Sequence, residues 1–215
     1  MKRFIALQAF LLVTTFFAFS QRVVQKNFDV GGKKVKMKFD FADSIVVETW
    51  NKNTLELQVS VNIDNDSYND DYQLNVKDNR NELELIEKVD FKDVQSKSKD
   101  KQNLKSIINY KLRVPATLEF DLKTISGKVE LKGTLGKMAI NSISGFIDFI
   151  VPKSHSAHID LSTVSGNVYS NLKFEDKSQE KMSWVGTKRT LILNGGNVAV
   201  DLKTVSGDIF LREAR

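Results

Sequence analysis

The sequence predicts an all-β fold, a parallel β-solenoid of the β-helix kind with rungs of about 20 residues, whose N-terminal strands continue the coil or cap its end. Three observations predict it. A Ser-Gly pair recurs four times at near-regular intervals in the C-terminal half. The residues flanking each pair alternate apolar with polar, which is the period of a strand. The N-terminal half is rich in short alternating segments separated by turn residues and shows no helical period.

The chain opens on an export signal. Lys2 and Arg3 form a short basic region, Phe4–Phe19 is apolar apart from Gln8, Thr14 and Thr15, and Ala18 and Ser20 place small residues at the −3 and −1 positions of a cleavage site. Cleavage is expected after Ser20. The rival is an uncleaved anchor, since the apolar run is near the shortest that crosses a bilayer. No second apolar run of that length follows, so the mature chain is not expected to span a membrane. An exported chain can reside in the periplasm, on the cell surface or outside the cell. Cysteine is absent, which removes disulfides, thiolate metal sites, Cys nucleophiles and a Cys-linked lipid anchor. Loss of Lys2 and Arg3 lowers the net charge from +5 to +3, and the remaining Lys and Arg are interleaved with Asp and Glu. That pattern is a solvated surface and not a nucleic-acid footprint.

Residues 21–112 form a β-rich N-terminal part. Val35–Phe41, Ser44–Trp50, Thr54–Ile63, Tyr72–Lys77, Asn81–Val89 and Ser106–Pro115 read as strands. Asn51-Lys52-Asn53 and Asp78–Asn81 read as turns, and Gly31-Gly32 as a hairpin signal. Lys92–Lys105 and Glu175–Arg189 are polar and are expected as loops leaving the coil.

Residues 113–215 carry the repeats, with no composition shift before them, so 21–215 is read as one continuous domain. The copies are Phe120–Leu131, Met138–Phe149, Ile159–Ser170 and Val200–Leu211, sharing Ser/Thr, Ile/Val, Ser, Gly. Their glycines, Gly127, Gly145, Gly166 and Gly207, are spaced 18, 21 and 41 residues apart, so a degenerate rung is expected between Gly166 and Gly207, in the stretch holding Trp184, Leu191 and Leu193. Stacking successive rungs buries one face of each strand and places like residues on like at ~4.8 Å. The structural motif is then Ser126-Gly127, Ser144-Gly145, Ser165-Gly166 and Ser206-Gly207, with Gly supplying a corner at φ > 0 and Ser bonding the turn backbone.

The copies TISGKVEL, SISGFIDF, TVSGNVYS and TVSGDIFLR resemble the putative-adhesin domain of unknown function found in exported bacterial proteins. Leu193–Gly196 leading into the last copy is similar to that family's ending, and Phe41–Asn53 resembles its early strand and turn. The resemblance implies a β-solenoid in a cell-envelope or surface setting. It brings no catalytic motif.

Candidate chemistry is sparse. Asp121, Asp160 and Asp201 share an outward column, where acidic groups bind Ca²⁺ or cleave polysaccharides, but Ala139 interrupts it and Lys123 and Lys203 lie close by, as on a solvated face. Asp64, Asp66, Asp70 and Asp71 begin like a Ca²⁺ loop but lack its Gly and terminal Glu, as in an acidic turn. His155 and His158 are the only histidines, too few for an ordinary zinc site. The repeated serines lack a nucleophile elbow, and Gly195-Gly196 precedes no helix that could hold a phosphate. No catalytic, cofactor or metal residue is therefore assigned. Phe146, Tyr169 and Phe210 are expected to face outward, either covered or in contact with a ligand. The function that fits is a non-enzymatic, adhesin-like envelope protein contacting a glycan or an envelope protein through a flat strand face. The alternatives are a carbohydrate-active enzyme and a periplasmic scaffold or signalling accessory that self-associates at a coil end.

Overall fold

The computed structural model of the chain describes residues 22–98, 103–175 and 186–214. The export signal expected at 1–20 and Trp184 lie outside the described residues. The fold is all-β, without a closed barrel. Along the chain run β1 (Arg22–Asp29), β2 (Lys34–Lys38), β3 (Ser44–Trp50), β4 (Thr54–Ile63), β5 (Gln73–Asp78), β6 (Glu82–Lys88), helix α1 (Phe91–Lys97) and β7 (Ser106–Pro115). The repeats follow as β8 (Phe120–Thr124), β9 (Lys128–Lys132), β10 (Met138–Ser144), β11 (Ile147–Val151), β12 (Ala157–Ser165), β13 (Val168–Ser170), β14 (Thr187–Leu193), β15 (Val198–Ser206) and β16 (Ile209–Glu213).

Two eight-stranded sheets result. The first has the order β1-β4-β7-β3-β9-β11-β16-β13 and the second β14-β12-β15-β10-β8-β2-β6-β5. Each repeat places one strand in the second sheet, turns at its Ser-Gly corner, and places the next strand in the first. Equivalent strands pair parallel and in register: Ile140 lies beside both Leu122 and Leu202, and Phe149 beside both Leu131 and Leu211. Alternate residues point between the sheets, so Val35, Phe120, Met138, Val200 and Ile159 form one buried column and Met37, Leu122, Ile140, Leu202 and Leu161 the next.

The N-terminal strands both continue and flank this stack. β2 pairs parallel with β8 and with β6, and β3 with β9 and with β7. β4 and β5 pair antiparallel with β7 and β6, and β1 antiparallel with β4.

Four expectations need correction. The repeats do not stack in chain order, because β15 and β16 lie between the second copy and the third, pairing with β10 and β11 on one side and with β12 and β13 on the other. Leu191 and Leu193, expected in a degenerate rung after Gly166, instead lie on β14, which runs antiparallel to β12 and sets them beside Ile159 and Ala157. Gly31-Gly32 is no hairpin, since β1 and β2 belong to different sheets. Within Lys92–Lys105, α1 begins the segment, because the Asp90 side chain accepts hydrogen bonds from the Lys92 and Asp93 amides, Val94 is buried, and Phe91 packs edge-on against Phe41 at 4.7 Å.

Candidate functional site: the aromatic row and its flanks

The Ser-Gly corners govern what reaches the surface. A Cβ on Gly145 would lie 2.2 Å from the Gly127 carbonyl oxygen, one on Gly207 2.0 Å from that of Gly145, and one on Gly166 2.1 Å from that of Gly207. Gly145 also has φ +119°, whereas Gly166 is outside the left-handed region. The requirement common to the corners is thus room for the neighbouring backbone, and only at some of them also a positive φ. The hydrogen-bond ladder runs on through the corners, as in Gly145 N–H to Ser206 (3.1 Å) and Gly207 N–H to Ser165 (3.0 Å). Beneath lie four buried hydroxyls. Thr124 donates to the Ser126 carbonyl at 2.6 Å, Ser142 to Ser144 at 3.3 Å, Thr163 to Gly207 at 3.1 Å and Thr204 to Gly145 at 3.4 Å. The motif serines, Ser126, Ser144, Ser165 and Ser206, contribute carbonyls to this lattice.

Beyond the corners, on the outer face of the first sheet, the three aromatic residues come together. Tyr169 and Phe210 are register partners with rings stacked at 5.3 Å and 15°. Phe146 reaches Phe210 diagonally, edge-on at 5.8 Å, and the Lys128 ammonium sits 5.5 Å from the Phe146 ring. Phe146 and Phe210 are half-buried by one another, while Tyr169 is 49% exposed at the end of the row.

Two carboxylates flank the rings. Asp148 is the register partner of both Phe210 and Glu130. It is almost fully buried, and Arg212 forks onto it, with Nε donating to Oδ1 at 2.8 Å and a terminal nitrogen donating to Oδ2. This charge-assisted pairing raises the Arg212 pKa. Lys128 (2.6 Å) and Lys132 hold Glu130 below the usual carboxylate range. The result is a flat face of π-surface edged by fixed cations and anions. Such a face can stack a ring-shaped ligand and hydrogen-bond its periphery.

Most of the remaining candidates have local partners, although Asp201 Oδ1 and His155 Nε2 are buried with no hydrogen-bond partner among the described residues. Asp121 pairs with Lys34 (2.8 Å), Asp201 with Lys203 (2.5 Å), and Asp160 accepts from the Thr190 hydroxyl (2.5 Å). In the acidic turn, Asp64 accepts from Ser98, Asp66 from Asn69, and Asp70 and Asp71 meet Arg22 and Lys97. His155 is buried against Phe149, which lowers its pKa, and His158 lies 3.8 Å from Asp160. Among the described residues no group of three His, Asp or Glu side chains is placed to hold a metal ion. No helix among them is long and apolar enough to cross a membrane.

Two features escaped the sequence reading. The Ile/Val of each motif copy, Ile125, Ile143, Val164 and Val205, points outward and is exposed. The signal was its phase, one residue after the inward Thr or Ser. Glu87 points inward and is buried, as its place in the alternation of Glu82–Glu87 would have indicated.

The sequence profile of the Toastrack family, DUF4097, matches residues 116–212, the span of the Ser-Gly copies. No curated protein matches the chain. Among solved structures, a putative cell adhesion protein from Clostridium sporogenes ATCC 15579 is similar over 91% of this chain and 100% of its own, at 11% identity and a TM-score of 0.56, a likeness of fold. A putative adhesin from Bacteroides fragilis NCTC 9343 aligns over 91% of this chain and 98% of its own, at 14% identity and a TM-score of 0.35. One from Parabacteroides merdae ATCC 43184 aligns over 69% and 60%, at 12% identity and a TM-score of 0.29.

Proposed function

We propose that this chain is an exported, non-enzymatic, adhesin-like protein of the cell envelope that holds a glycan against the aromatic row of its first sheet. In this reading the stack acts as a rigid β-solenoid, and Tyr169, Phe210 and Phe146 offer successive stacking positions along it. The observation that carries the reading is the row itself: three rings from three rungs, with Phe210 in contact with both Phe146 and Tyr169, ending in an exposed Tyr169. Soluble proteins seldom leave such surface open without use. The Arg212–Asp148 and Lys128–Glu130 pairs supply directional donors and acceptors at its edge. The name of the Clostridium sporogenes structure similar in fold, a putative cell adhesion protein, supports the same class of function. A binder is favoured over a glycosidase because Glu130, the carboxylate beside Asp148, is held ionised by lysines, whereas a general acid needs its pKa raised.

The test is a glycan array probed with the intact protein, followed by titration of the best hit. Tyr169→Ala and Phe210→Ala should each weaken binding at least tenfold while thermal melts show that the protein still folds. Unchanged binding would remove the site. Release of reducing ends from any hit would overturn the non-enzymatic reading, and cell fractionation that finds the chain in the cytosol would overturn export.

A further inference from the structure

We propose that the outer face of the second sheet, on the opposite side of the molecule from the aromatic row, is a docking surface for an acidic amphipathic helix of a partner protein. Ile125, Ile143, Val205 and Val164 are 42, 52, 48 and 51% exposed. Their flanking residues pair in register, Thr124–Ser142–Thr204–Thr163, so the four side chains form one unbroken row across β8, β10, β15 and β12. Four of the eight strongly exposed large apolar residues among the described residues thus lie in a single line. They floor a shallow hollow of about 550 Å³ that also takes in Lys38, Lys123 and Lys203.

The lysines say what kind of partner fits. Toward the far ends of these strands the sheet interleaves its charges. Glu119 lies between Lys34 (3.5 Å) and Lys137 (3.1 Å), and Lys36 meets Glu82 at 2.5 Å. The column next to the aliphatic row breaks that rule. Lys38 and Lys123 are direct register partners, and the column continues through Asn141, Lys203 and Ser162 to Lys188. Like charges side by side on a sheet are destabilising. Lys38 is relieved by Asp40, two residues past the end of β2, and Lys203 by Asp201 of its own strand, but Lys123 and Lys188 enter no ion pair among the described residues. Carboxylates arriving from outside would relieve this column along one flank of the aliphatic row.

The spacing selects a helix. Rungs repeat every ~4.8 Å, so the aliphatic row is about 14 Å long. A helix repeats its apolar stripe every ~5.4 Å, nearly one side chain per rung, and about 10 residues cover the row. A strand laid along the row would repeat every ~6.7 Å and fall out of step at once. A β-branched aliphatic row also offers no flat ring on which a sugar could stack. With lysines on one flank only, the partner's carboxylates belong on one flank of its apolar stripe.

The probe is a labelled synthetic peptide of about 14 residues with one Leu per helical turn, Glu along one flank and Ala or Gln elsewhere, titrated into the intact protein by fluorescence anisotropy and circular dichroism. Saturable binding with a gain of helicity is expected. It should weaken at least tenfold with Lys123→Glu or with Ile143→Ser/Val205→Ser, weaken steeply with salt, and ignore Tyr169→Ala. Thermal melts check that each variant folds; should the double change destabilise, Lys123→Glu, an exposed position, carries the test alone. The proposal is overturned if the Glu peptide does not saturate, if a Lys-flanked peptide binds equally well, or if these substitutions leave binding unchanged. It is also overturned if a polyuronate, and not the peptide, binds in a Lys123-dependent way.

Discussion

Glu87 gives this protein a stability that depends on pH in a calculable way. It follows Ile86, the register partner of Lys38, and turns inward where the neighbouring rungs carry Phe39 and the buried hydroxyls. One carboxyl oxygen accepts the Phe41 amide at 2.8 Å, while the other is buried with no hydrogen-bond partner. The carboxyl pKa is raised from 4.5 to about 7: burial pushes it up most, the Phe41 amide and the nearby Tyr110 hydroxyl pull it down, and the charges of Asp40 and Asp43 add to the rise. Tyr110, itself bonded to Tyr72 at 3.3 Å, is raised by the same burial. A folded-state pKa above the unfolded one means that the folded protein holds the proton more tightly. The stability linked to Glu87 is therefore complete below about pH 4.5, falls as pH rises, and is lost above about pH 7. At about 1.4 kcal/mol per pH unit, the span amounts to about 3 kcal/mol. Glu87 is only 7% exposed, so solvent screening removes little of this. Glu87→Gln carries no charge at any pH. Urea denaturation of both proteins from about pH 4 to 8 should show the wild type losing about 3 kcal/mol relative to the variant across that window. Parallel stability curves would refute the reasoning, because the carboxyl would then titrate alike in both states.

Three further substitutions test the corners and the helix. Gly145→Val should lower stability by about 3 kcal/mol or more, or prevent folding, since its Cβ meets the Gly127 carbonyl and its φ is left-handed; Gly195→Ala, with open space around its Cβ, should cost only about 1–2 kcal/mol for its φ of +84°, and thermal melts compare the two. Asp90→Ala removes the cap of α1 and should cost about 1 kcal/mol, seen as faster amide exchange over residues 91–97 with little change in the repeat strands.

Much of the architecture could be read in advance because it is a matter of phase. Phe120, Leu122 and Thr124 alternate with Asp121 and Lys123, and a period of two leaves no doubt about which side is buried. The corner glycines were legible for a similar reason: a residue without a side chain recurring at one phase marks a point where backbones meet. Helix α1 was not legible, because about two turns, capped and held by Phe91 and Val94, are too short to show a helical period against five nearby lysines. Glu87 was missed because a carboxylate at an inward phase reads as an end to the pattern, and only its neighbours make burial tolerable.

The order of the rungs is the deeper failure, and it decides the site. Val200, Leu202 and Thr204 are nearly interchangeable with Ile159, Leu161 and Thr163, so column matching is satisfied by any order of the copies. Chain connectivity has to choose, and β14, folding back antiparallel on β12, takes the outer edge of the third copy and leaves its inner edge for the fourth. That exchange places Arg212 beside Ile150 and within reach of Asp148, 64 residues away, and sets Phe210 between Phe146 and Tyr169. Stacked in chain order, β11 would instead adjoin β13, Arg212 would be a rung farther from the Asp148 it neutralises, and Tyr169 in place of Phe210 would hold the middle of the aromatic row. The residues of the site could be named from the sequence, but their adjacency came from a choice between copies that the sequence makes deliberately alike.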